Sequence, residues 1–366
     1  MQPGVFLKNL PELPGLVSVS PTSFGLEQEH FVLKAGAAPS PADIVELFTR
    51  LSRRGLGVYE RPTDGTAGAV ALETKAGRLE IKTDGFTHVL EVAFPPLQYP
   101  SELLILYDEV WGGIRQEIEP LGLTLQMGGC LHNELPDRQS FPVSADSLER
   151  QRVLLTRQMP HEPFCVDLLS AVMCATHVHL PATSPGVYGL LPFLYSYEYL
   201  IPLLFSTSHA FREQTAHCVR PLMYRDSFTD SYPATAFPVQ VPDSSDAHRA
   251  LIAASHPFVR DYSFIVPRSF GTVEFRTACA QDSARAALEL TALYITIWHL
   301  ARQGVMSAVP NPRVHFYRVC ELGLPGCDAN AGEDVARLRT ICEQLPDVWA
   351  GYGLGALARF TVDKSR

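Results

Sequence analysis

The stretch Gly25-Leu-Glu-Gln-Glu-His-Phe-Val-Leu33 places two carboxylates two residues apart, in a run that ends with strand-forming residues. A strand sends alternate side chains to the same face, so Glu27 and Glu29 point the same way, with Phe31 and Leu33 following on that side. Neighbouring carboxylates repel each other unless a cation or a proton lies between them. The stretch therefore predicts a β-strand whose acidic face either meets solvent or binds a hard divalent cation.

Two further segments place polar side chains inside strand patterns. Glu91 lies within Val89-Leu-Glu-Val-Ala-Phe94, where a carboxylate is either an edge charge facing water or a ligand in a lined cavity. The segment Thr176-His-Val-His-Leu180 brings His177 and His179 to one face. Such a pair is typical either of buried structural histidines or of contacts to a metal or phosphate.

A fourth segment, Thr272-Val-Glu-Phe-Arg276, brings Glu274 and Arg276 to one face. The pair is either an ordinary cross-strand ion pair or part of a phosphate site, because the planar guanidinium of arginine suits phosphate oxygens. Together the four strands predict one sheet with an apolar face and a carboxylate-rich face that holds several divalent ions. The chemistry that this arrangement favours is phosphoryl transfer from a metal-bound nucleotide.

Composition limits the class of protein. The 366 residues are 46% hydrophobic and 19% charged, enough for a large core in one big domain or in two closely packed ones, and we predict a single domain over residues 1–366. The net charge of −9, without any basic run, argues against general binding of nucleic acids. The first residues lack the pattern of a signal peptide, and Glu198 and two prolines interrupt the most apolar stretch, 190–205. We therefore expect a cytoplasmic protein without a membrane partner.

The eight cysteines show no metal-ligand spacing, so we expect reduced thiols. The closest pair, Cys320 and Cys327, brackets a short Gly/Pro loop and either bridges it or stays as two loop thiols.

The order of elements predicts the fold class. Strands and helices mix without a regular βαβ alternation, which indicates α+β with an antiparallel sheet. Ser40 is a candidate helix cap, and Thr83-Asp84-Gly85 is a hairpin turn. The predicted strands are 69–73, 78–82, 88–94, 123–127, 171–180, 262–266 and 271–277. The predicted helices are 42–51, 100–120, 147–158, 185–212, 283–304 and 332–345, with a lead-in segment at 1–20 and a long loop, a candidate mobile lid, at 225–247.

No glycine-rich loop of the Walker or Rossmann kind is present, so a nucleotide must be bound by another kind of motif. The chain resembles the ATP-dependent carboxylate–amine ligases similar to bacterial and plant glutamate–cysteine ligase. The segments that carry the resemblance occur in the family's order: Phe24-Gly-Leu-Glu-Gln-Glu-His30, His88-Val-Leu-Glu-Val-Ala-Phe-Pro95, Cys174-Ala-Thr-His-Val-His-Leu180 and Arg268-Ser-Phe-Gly-Thr-Val-Glu-Phe-Arg276.

The resemblance implies a curved antiparallel sheet of the glutamine-synthetase type, flanked by helices, with ATP and two or three Mg²⁺ ions (or Mn²⁺) on its concave face. It implies a reaction in two halves: a substrate carboxylate takes the γ-phosphate of ATP, and an amine then displaces phosphate from the acyl phosphate to leave an amide. It implies metal ligands at Glu27, Glu29, Glu91 and Glu274, cofactor contacts at His177, His179, Arg220 and Arg225, and catalytic roles for Arg276 and Arg268.

The chain departs from the family pattern in two places. Cys279 stands where many relatives carry an acidic residue, with Asp282 three positions later, and 205–210 replaces the usual Asn-Ser-Pro segment. Both lie where the acceptor would bind, so the resemblance implies a small carboxylate and an amine without naming glutamate or cysteine. An exposed sheet edge or the apolar 185–211 region would allow a homodimer. The alternatives are a phosphotransferase on the same fold, which guanidino kinases resemble, and a non-catalytic nucleotide-binding protein.

Overall fold

The chain folds around an antiparallel sheet in the computed structural model. The structure describes residues 23–60, 68–84, 86–131, 172–182, 186–211, 214–227, 235–254 and 263–360. The strands are β1 Gly25–Lys34, β2 Val58–Glu60, β3 Ala69–Thr74, β4 Gly77–Thr83, β5 Val89–Ala93, β6 Leu123–Gln126, β7 Thr176–Pro181, β8 Ala210–Phe211, β9 Gln214–Thr215, β10 Ile265–Arg268 and β11 Thr272–Phe275.

Nine of these strands form one open sheet, in the order β10-β11-β7-β1-β5-β4-β3-β2, with β6 beside β1. Strand β1 lies at the centre. Its residues 25–28 pair with β7 and its residues 31–34 pair with β6, while β5 lies along its other side. Strands β8 and β9 form a separate two-stranded ribbon. The α+β class and the antiparallel sheet expected from the sequence are confirmed.

Helices cover the apolar face of the sheet. They are α1 Pro41–Arg53, α2 Pro100–Ile118, α3 Gly186–Tyr197, α4 Leu200–Phe205, α5 Val219–Ser227, α6 Ser245–Ala254, α7 Ala284–Arg302, α8 Pro312–Leu322, α9 Ala331–Gln344 and α10 Asp347–Ala358. Helix α7 lies under β7 and β11, where Tyr294 stacks on Phe275 of β11 with ring centroids 4.2 Å apart. Helix α3 lies under the edge strand β10, where the hydroxyl of Tyr195 accepts a hydrogen bond from the Ile265 N–H at 3.1 Å. None of the helices in the described ranges is long and apolar enough to cross a membrane.

Gln28 fixes the side-chain alternation of β1. Its side chain is fully buried on the helix-covered face, where its amide donates to the Tyr107 hydroxyl at 3.1 Å and to the Gln281 carbonyl. The Trp111 indole N–H donates to the side-chain Oε1 of Gln28 at 3.2 Å. Because alternate residues of a strand face opposite ways, this buried amide holds its two glutamate neighbours on the other face.

Most of the predicted elements are present. Ser40 caps α1, and Asp43 completes a capping box with it. Strands β4 and β5 pair antiparallel across the predicted turn, and β10 pairs with β11. The helices predicted at 100–120, 283–304 and 332–345 are α2, α7 and α9. The lead-in segment and the helix predicted at 147–158 lie outside the described residues.

Three predictions differ from the structure. The helix predicted over 185–212 is two helices, α3 and α4, broken at Glu198 and Tyr199 and followed by β8. The strand predicted over 171–180 is regular only from Thr176, because the Ala175 N–H donates to a side chain of β1 at 2.8 Å. The loop predicted over 225–247 contains the end of α5 and the start of α6, while 235–244 is irregular and 228–234 lies outside the described residues.

Candidate functional site

The predicted polar side chains meet on the face of the sheet opposite the buried Gln28 side chain. Strands β11, β7, β1 and β5 are neighbours, and their register places Glu29 opposite Glu91, Glu27 opposite His177 and His179 opposite Glu274. We call this set the polar face: Glu27, Glu29, Glu91, His177, His179 and Glu274. All except Glu27 are at most 6% exposed, so the polar face is not a solvated strand surface.

One group on the polar face combines carboxylates with imidazoles. Single ligand atoms of Glu27, His179 and Glu274 lie within 4.8 Å of one another, close enough to share an ion. The Nδ1 of His177 lies 3.3 Å from Oε2 of Glu27 and 3.3 Å from Oε1 of Glu274, and His179 Nε2 lies 3.4 Å from Oε1 of Glu27. Burial acts to raise the pKa of Glu27, but the two histidines outweigh it and hold that pKa well below its usual range.

The second group is purely acidic. Single oxygens of Glu29, Asp84 and Glu91 lie within 4.8 Å of one another. Burial, reinforced by the charge of Asp84, raises the pKa of Glu29 to about 8. Burial and the charge of Glu27 raise the pKa of Glu91 well above its usual value.

The acidic group fits a hard cation. One Glu29 oxygen accepts the Ala175 N–H at 2.8 Å, and Lys82 Nζ approaches Glu91 Oε1 at 3.1 Å, so each carboxylate is already oriented by one neighbour. Buried carboxylates with raised pKa values are stable only when a proton or a cation balances their charge. Oxygen ligands in this number and proximity are those that Mg²⁺ or Mn²⁺ takes.

Asp84 was not predicted as a site residue. In the sequence it lies in the Thr83-Asp84-Gly85 turn, and turn chemistry alone accounts for an aspartate there. The hairpin between β4 and β5 carries this turn back beside Glu91, which brings the Asp84 carboxylate to the acidic group. The signal that could have found it is position, because a turn residue at the end of a ligand-bearing strand lies next to that strand's side chains.

The predicted catalytic arginines flank Glu274. Arg276 donates to Oε1 of Glu274 at 2.6 Å, and Arg268 donates to the other oxygen of the same carboxylate. Burial acts to raise the pKa of Glu274, but the Arg276 guanidinium and both histidines lower it to about 2. Glu274 is therefore a fixed anion that holds two guanidinium groups at the margin of the polar face.

The other two predicted arginines occupy different positions. Arg220 is buried, and its guanidinium donates to the backbone carbonyls of Arg276 at 2.8 Å and Thr277 at 3.0 Å. Arg225 forms ion pairs with Asp226 at 2.7 Å and Glu321 at 2.6 Å. Arg220 thus supports the segment that carries Arg276, whereas the ion pairs of Arg225 are all away from the polar face among the described residues.

A cavity opens beside Arg268. Its volume is about 320 Å³, and its walls come from β10, the turn that follows β10, α3 and α6. The lining mixes apolar side chains, such as Leu251 and Phe270, with polar groups, which include His248, Arg268 and two serines. The size and the mixed lining are typical of sites for small organic ligands.

Of the residues that mark the two departures from the family pattern, Cys279 and Ser208 are buried, whereas Asp282 and His209 are exposed. Cys279 is 1% exposed and touches the Gly129 backbone so closely that a Cβ there would lie 2.5 Å from the Cys279 Cβ. Ser208, within the 205–210 segment, is fully buried. Cys320 and Cys327 are free thiols, as are the five other cysteines that the structure describes.

No family model matches the sequence, and no curated protein matches it either. Two of the solved structures that are similar to the chain have TM-scores above 0.5. One is a bifunctional glutathione synthetase from Pasteurella multocida, with a TM-score of 0.61 and 12% identity over 93% of this chain and 48% of the synthetase. The other is a glutamate–cysteine ligase from Francisella tularensis in complex with AMP, with a TM-score of 0.56 and 11% identity over 93% of this chain and 82% of the ligase.

The chain has the fold of these two ligases. It spans about half the length of the synthetase and most of the length of the glutamate–cysteine ligase. The ligase-like fold implied by the sequence resemblance is thereby confirmed.

Proposed function

We propose that the protein is an ATP- and Mg²⁺-dependent ligase that joins a small carboxylate, such as an amino acid, to an amine through an acyl phosphate. The observation that carries the proposal is the polar face itself. Two adjacent groups of metal-type ligands and two arginines lie together on one sheet, and that sheet has the fold of two amide-forming ligases. The complex of the Francisella enzyme with AMP supports nucleotide binding on this fold.

The two ligand groups have complementary roles in this proposal. Glu27, His179 and Glu274 would hold one ion, and Glu29, Asp84 and Glu91 would hold another. Bound divalent ions neutralise phosphate oxygens and orient the γ-phosphate for in-line attack. Because the ligands project from paired strands, their spacing is set by the sheet and changes little when substrate arrives.

Arg276 is the group best placed to stabilise the phosphoryl group during transfer. It is held by Glu274 at 2.6 Å, so its orientation is fixed before substrate binds. Arg268 holds the other oxygen of Glu274 and also lines the cavity, so it can contact a phosphate while the rest of the nucleotide lies beside it. We assign the cavity to the nucleotide base, because its apolar and aromatic walls suit a flat ring.

Cys279 and Ser208, which belong to the two departures from the family pattern, are buried, so neither side chain identifies the acceptor amine. The proposal therefore names the class of reaction and leaves the carboxylate and the amine to a screen. A cytoplasmic location, where ATP and amino acids are abundant, is part of the proposal.

The experiment is an incubation with ATP, Mg²⁺ and pools of amino acids and amines, followed by measurement of ADP, free phosphate and product mass. A ligase releases ADP and free phosphate together and yields a product lighter than its two substrates by one water. A phosphotransferase leaves the phosphate on the acceptor, and a non-catalytic protein releases no ADP. Loss of ADP release in Glu29→Gln and Glu91→Gln, with activity kept in the matched control Glu73→Gln on an exposed part of β3, tests the site assignment.

A further inference from the structure

Two buried cysteines lie in contact behind the polar face. The Sγ atoms of Cys218 and Cys279 are 3.7 Å apart, and both side chains are at most 1% exposed. Cys218 immediately precedes α5, and Cys279 lies in the segment that follows β11. A disulfide requires the two sulfurs to approach to about 2 Å. They are already 3.7 Å apart, so no large movement of the chain is needed to join them.

Hydrogen-bond contacts reach both sulfurs, and the shorter of the two contacts from Ser208 is to Cys279. The Oγ of Ser208 accepts a hydrogen bond from the backbone N–H of Arg220 at 3.2 Å. It lies 3.1 Å from the Cys279 Sγ and 3.7 Å from the Cys218 Sγ. The Ser208 proton is therefore best directed at Cys279. The Cys218 thiol and the nearby Arg220 charge also favour the thiolate form of Cys279, so the pKa of Cys279 lies below its usual value. Burial, in contrast, raises the pKa of Cys218.

We propose that Cys279 and Cys218 form an oxidisable dithiol, in which Cys279 reacts first and Cys218 resolves the product to a disulfide. The oxidant is a hydroperoxide. The Cys279 thiolate attacks the peroxide oxygen, the O–O bond breaks, and protonation of the departing oxygen leaves Cys279 as a sulfenic acid and water (or an alcohol). The Cys218 sulfur then attacks the Cys279 sulfur, the S–O bond breaks, and the second oxygen leaves as water. Two thiols are oxidised and one peroxide is reduced.

The disulfide would act on the acidic group through the backbone. Cys279 forms an isolated β-bridge with Ala175, and the Ala175 N–H is the donor that orients Glu29. On the other side, Cys218 leads directly to Arg220, which holds the carbonyls of Arg276 and Thr277. Drawing the two sulfurs together by about 1.7 Å pulls on both attachments. We expect weaker binding of divalent cations in the oxidised protein, an effect that rests on the metal site in the proposed function.

The test is oxidation of the full chain with hydrogen peroxide, followed by alkylation with N-ethylmaleimide, digestion and mass spectrometry. The expected product is a Cys218–Cys279 cross-link that dithiothreitol removes. Cys327 is more exposed but its pKa is raised to about 11 by burial, so it is expected to stay a thiol under the same treatment. The control Cys327→Ser should therefore form the cross-link at the rate of the unmodified chain.

Single variants test the order of the two steps. In Cys218→Ala the sulfenic acid has no resolving thiol, so dimedone should label Cys279. In Cys279→Ala dimedone should not label Cys218. Circular dichroism of each variant checks that it is folded, and dimedone labelling is scored only in folded protein. A folded chain in which other cysteines oxidise before this pair, or in which dimedone labels Cys218 instead, would overturn the dithiol.

A separate measurement tests whether the disulfide weakens the metal site. The rise in melting temperature caused by Mg²⁺ is measured for reduced and oxidised chain, and we expect a smaller rise after oxidation. An equal rise in both forms would overturn the coupling. Absence of any rise in the reduced chain would instead contradict the proposed metal site, while the cross-link is still judged by mass alone.

Discussion

Removing divalent cations should make the stability of this protein fall steeply with pH, and Mg²⁺ should restore it. Glu29 and Glu91 face each other on neighbouring strands, and burial raises the pKa values of both. A carboxyl group whose pKa is higher in the folded than in the unfolded chain stabilises the fold while it is protonated. That contribution is fully present below the unfolded pKa of 4.5 and is lost as the pH rises through about 8.

The size of the effect follows from the shift at Glu29. The interval from 4.5 to about 8, at about 1.4 kcal/mol per pH unit, gives an upper limit of about 5 kcal/mol. Glu29 and Glu91 share their titration, so we expect a measured loss on the order of 2 kcal/mol between pH 5.5 and pH 8.5. For a chain of this size that corresponds to roughly 4 °C in melting temperature.

The assay is thermal unfolding across this pH range in EDTA and in Mg²⁺. Mg²⁺ at about 100 times its dissociation constant adds about 2.7 kcal/mol, and the addition should grow with pH because the ion displaces protons. Glu91→Gln cannot ionise, so in EDTA it should lose less stability with rising pH than the unmodified chain, and it should gain less from Mg²⁺. The Glu91→Gln variant also loses the ion pair with the partly exposed Lys82, which lowers the free energy of unfolding by at most about 1 kcal/mol.

Two results would refute this reasoning. One is a Mg²⁺ effect on melting temperature that is the same at pH 5.5 and pH 8.5. The other is a pH dependence of Glu91→Gln in EDTA that matches that of the exposed control Glu73→Gln. Either would mean that the carboxylates on the polar face do not carry the charge imbalance that their burial implies.

Three further predictions concern the surroundings of the polar face. Arg276→Lys loses the planar contact to Glu274 and should lower turnover about a hundredfold, with little change in ATP affinity by calorimetry. Arg220→Met leaves two buried carbonyls unpaired and should lower the free energy of unfolding by about 3 kcal/mol in urea titrations, whereas the exposed Arg249→Met should not. Leu251→Trp fills the cavity and should weaken ATP binding at least about tenfold, while the Mg²⁺ effect on melting temperature in the absence of ATP persists.

The polar face could be predicted because each of its strands carries a local signal. Alternating polar and apolar residues place side chains on faces without any knowledge of the partner strand. The order of the strands within the sheet does not follow from alternation, and it was not predicted. Residues outside the strands carry no such signal: Asp84, in a turn, was missed, and Arg220, on α5, was named only through the resemblance to a ligase family.

The helix α10 shows a second limit of sequence reasoning. Gly351, Gly353 and Gly355 lower its helix propensity, and no helix was predicted there. In the structure a Cβ on Gly353 would lie 2.6 Å from the Cys342 sulfur, and one on Gly355 would lie 3.2 Å from a Glu289 oxygen. The glycines allow α10 to pack closely on α7 and α9, so tertiary contact outweighs local preference.

The central position of β1 has a consequence for the way the protein forms. Glu27 pairs with His177, and the strand of His177 pairs in turn with Glu274. A chain emerging from the ribosome must therefore reach residue 275 before the first carboxylate meets its last neighbour, an interval of roughly 12 to 50 seconds after Gly25 is made. Contacts so distant in sequence also slow folding. The group of Glu27, His179 and Glu274 is thus completed late, whereas Glu29, Asp84 and Glu91 all lie within residues 29–91 and are made much earlier. The two candidate ion sites are therefore completed at different stages of synthesis.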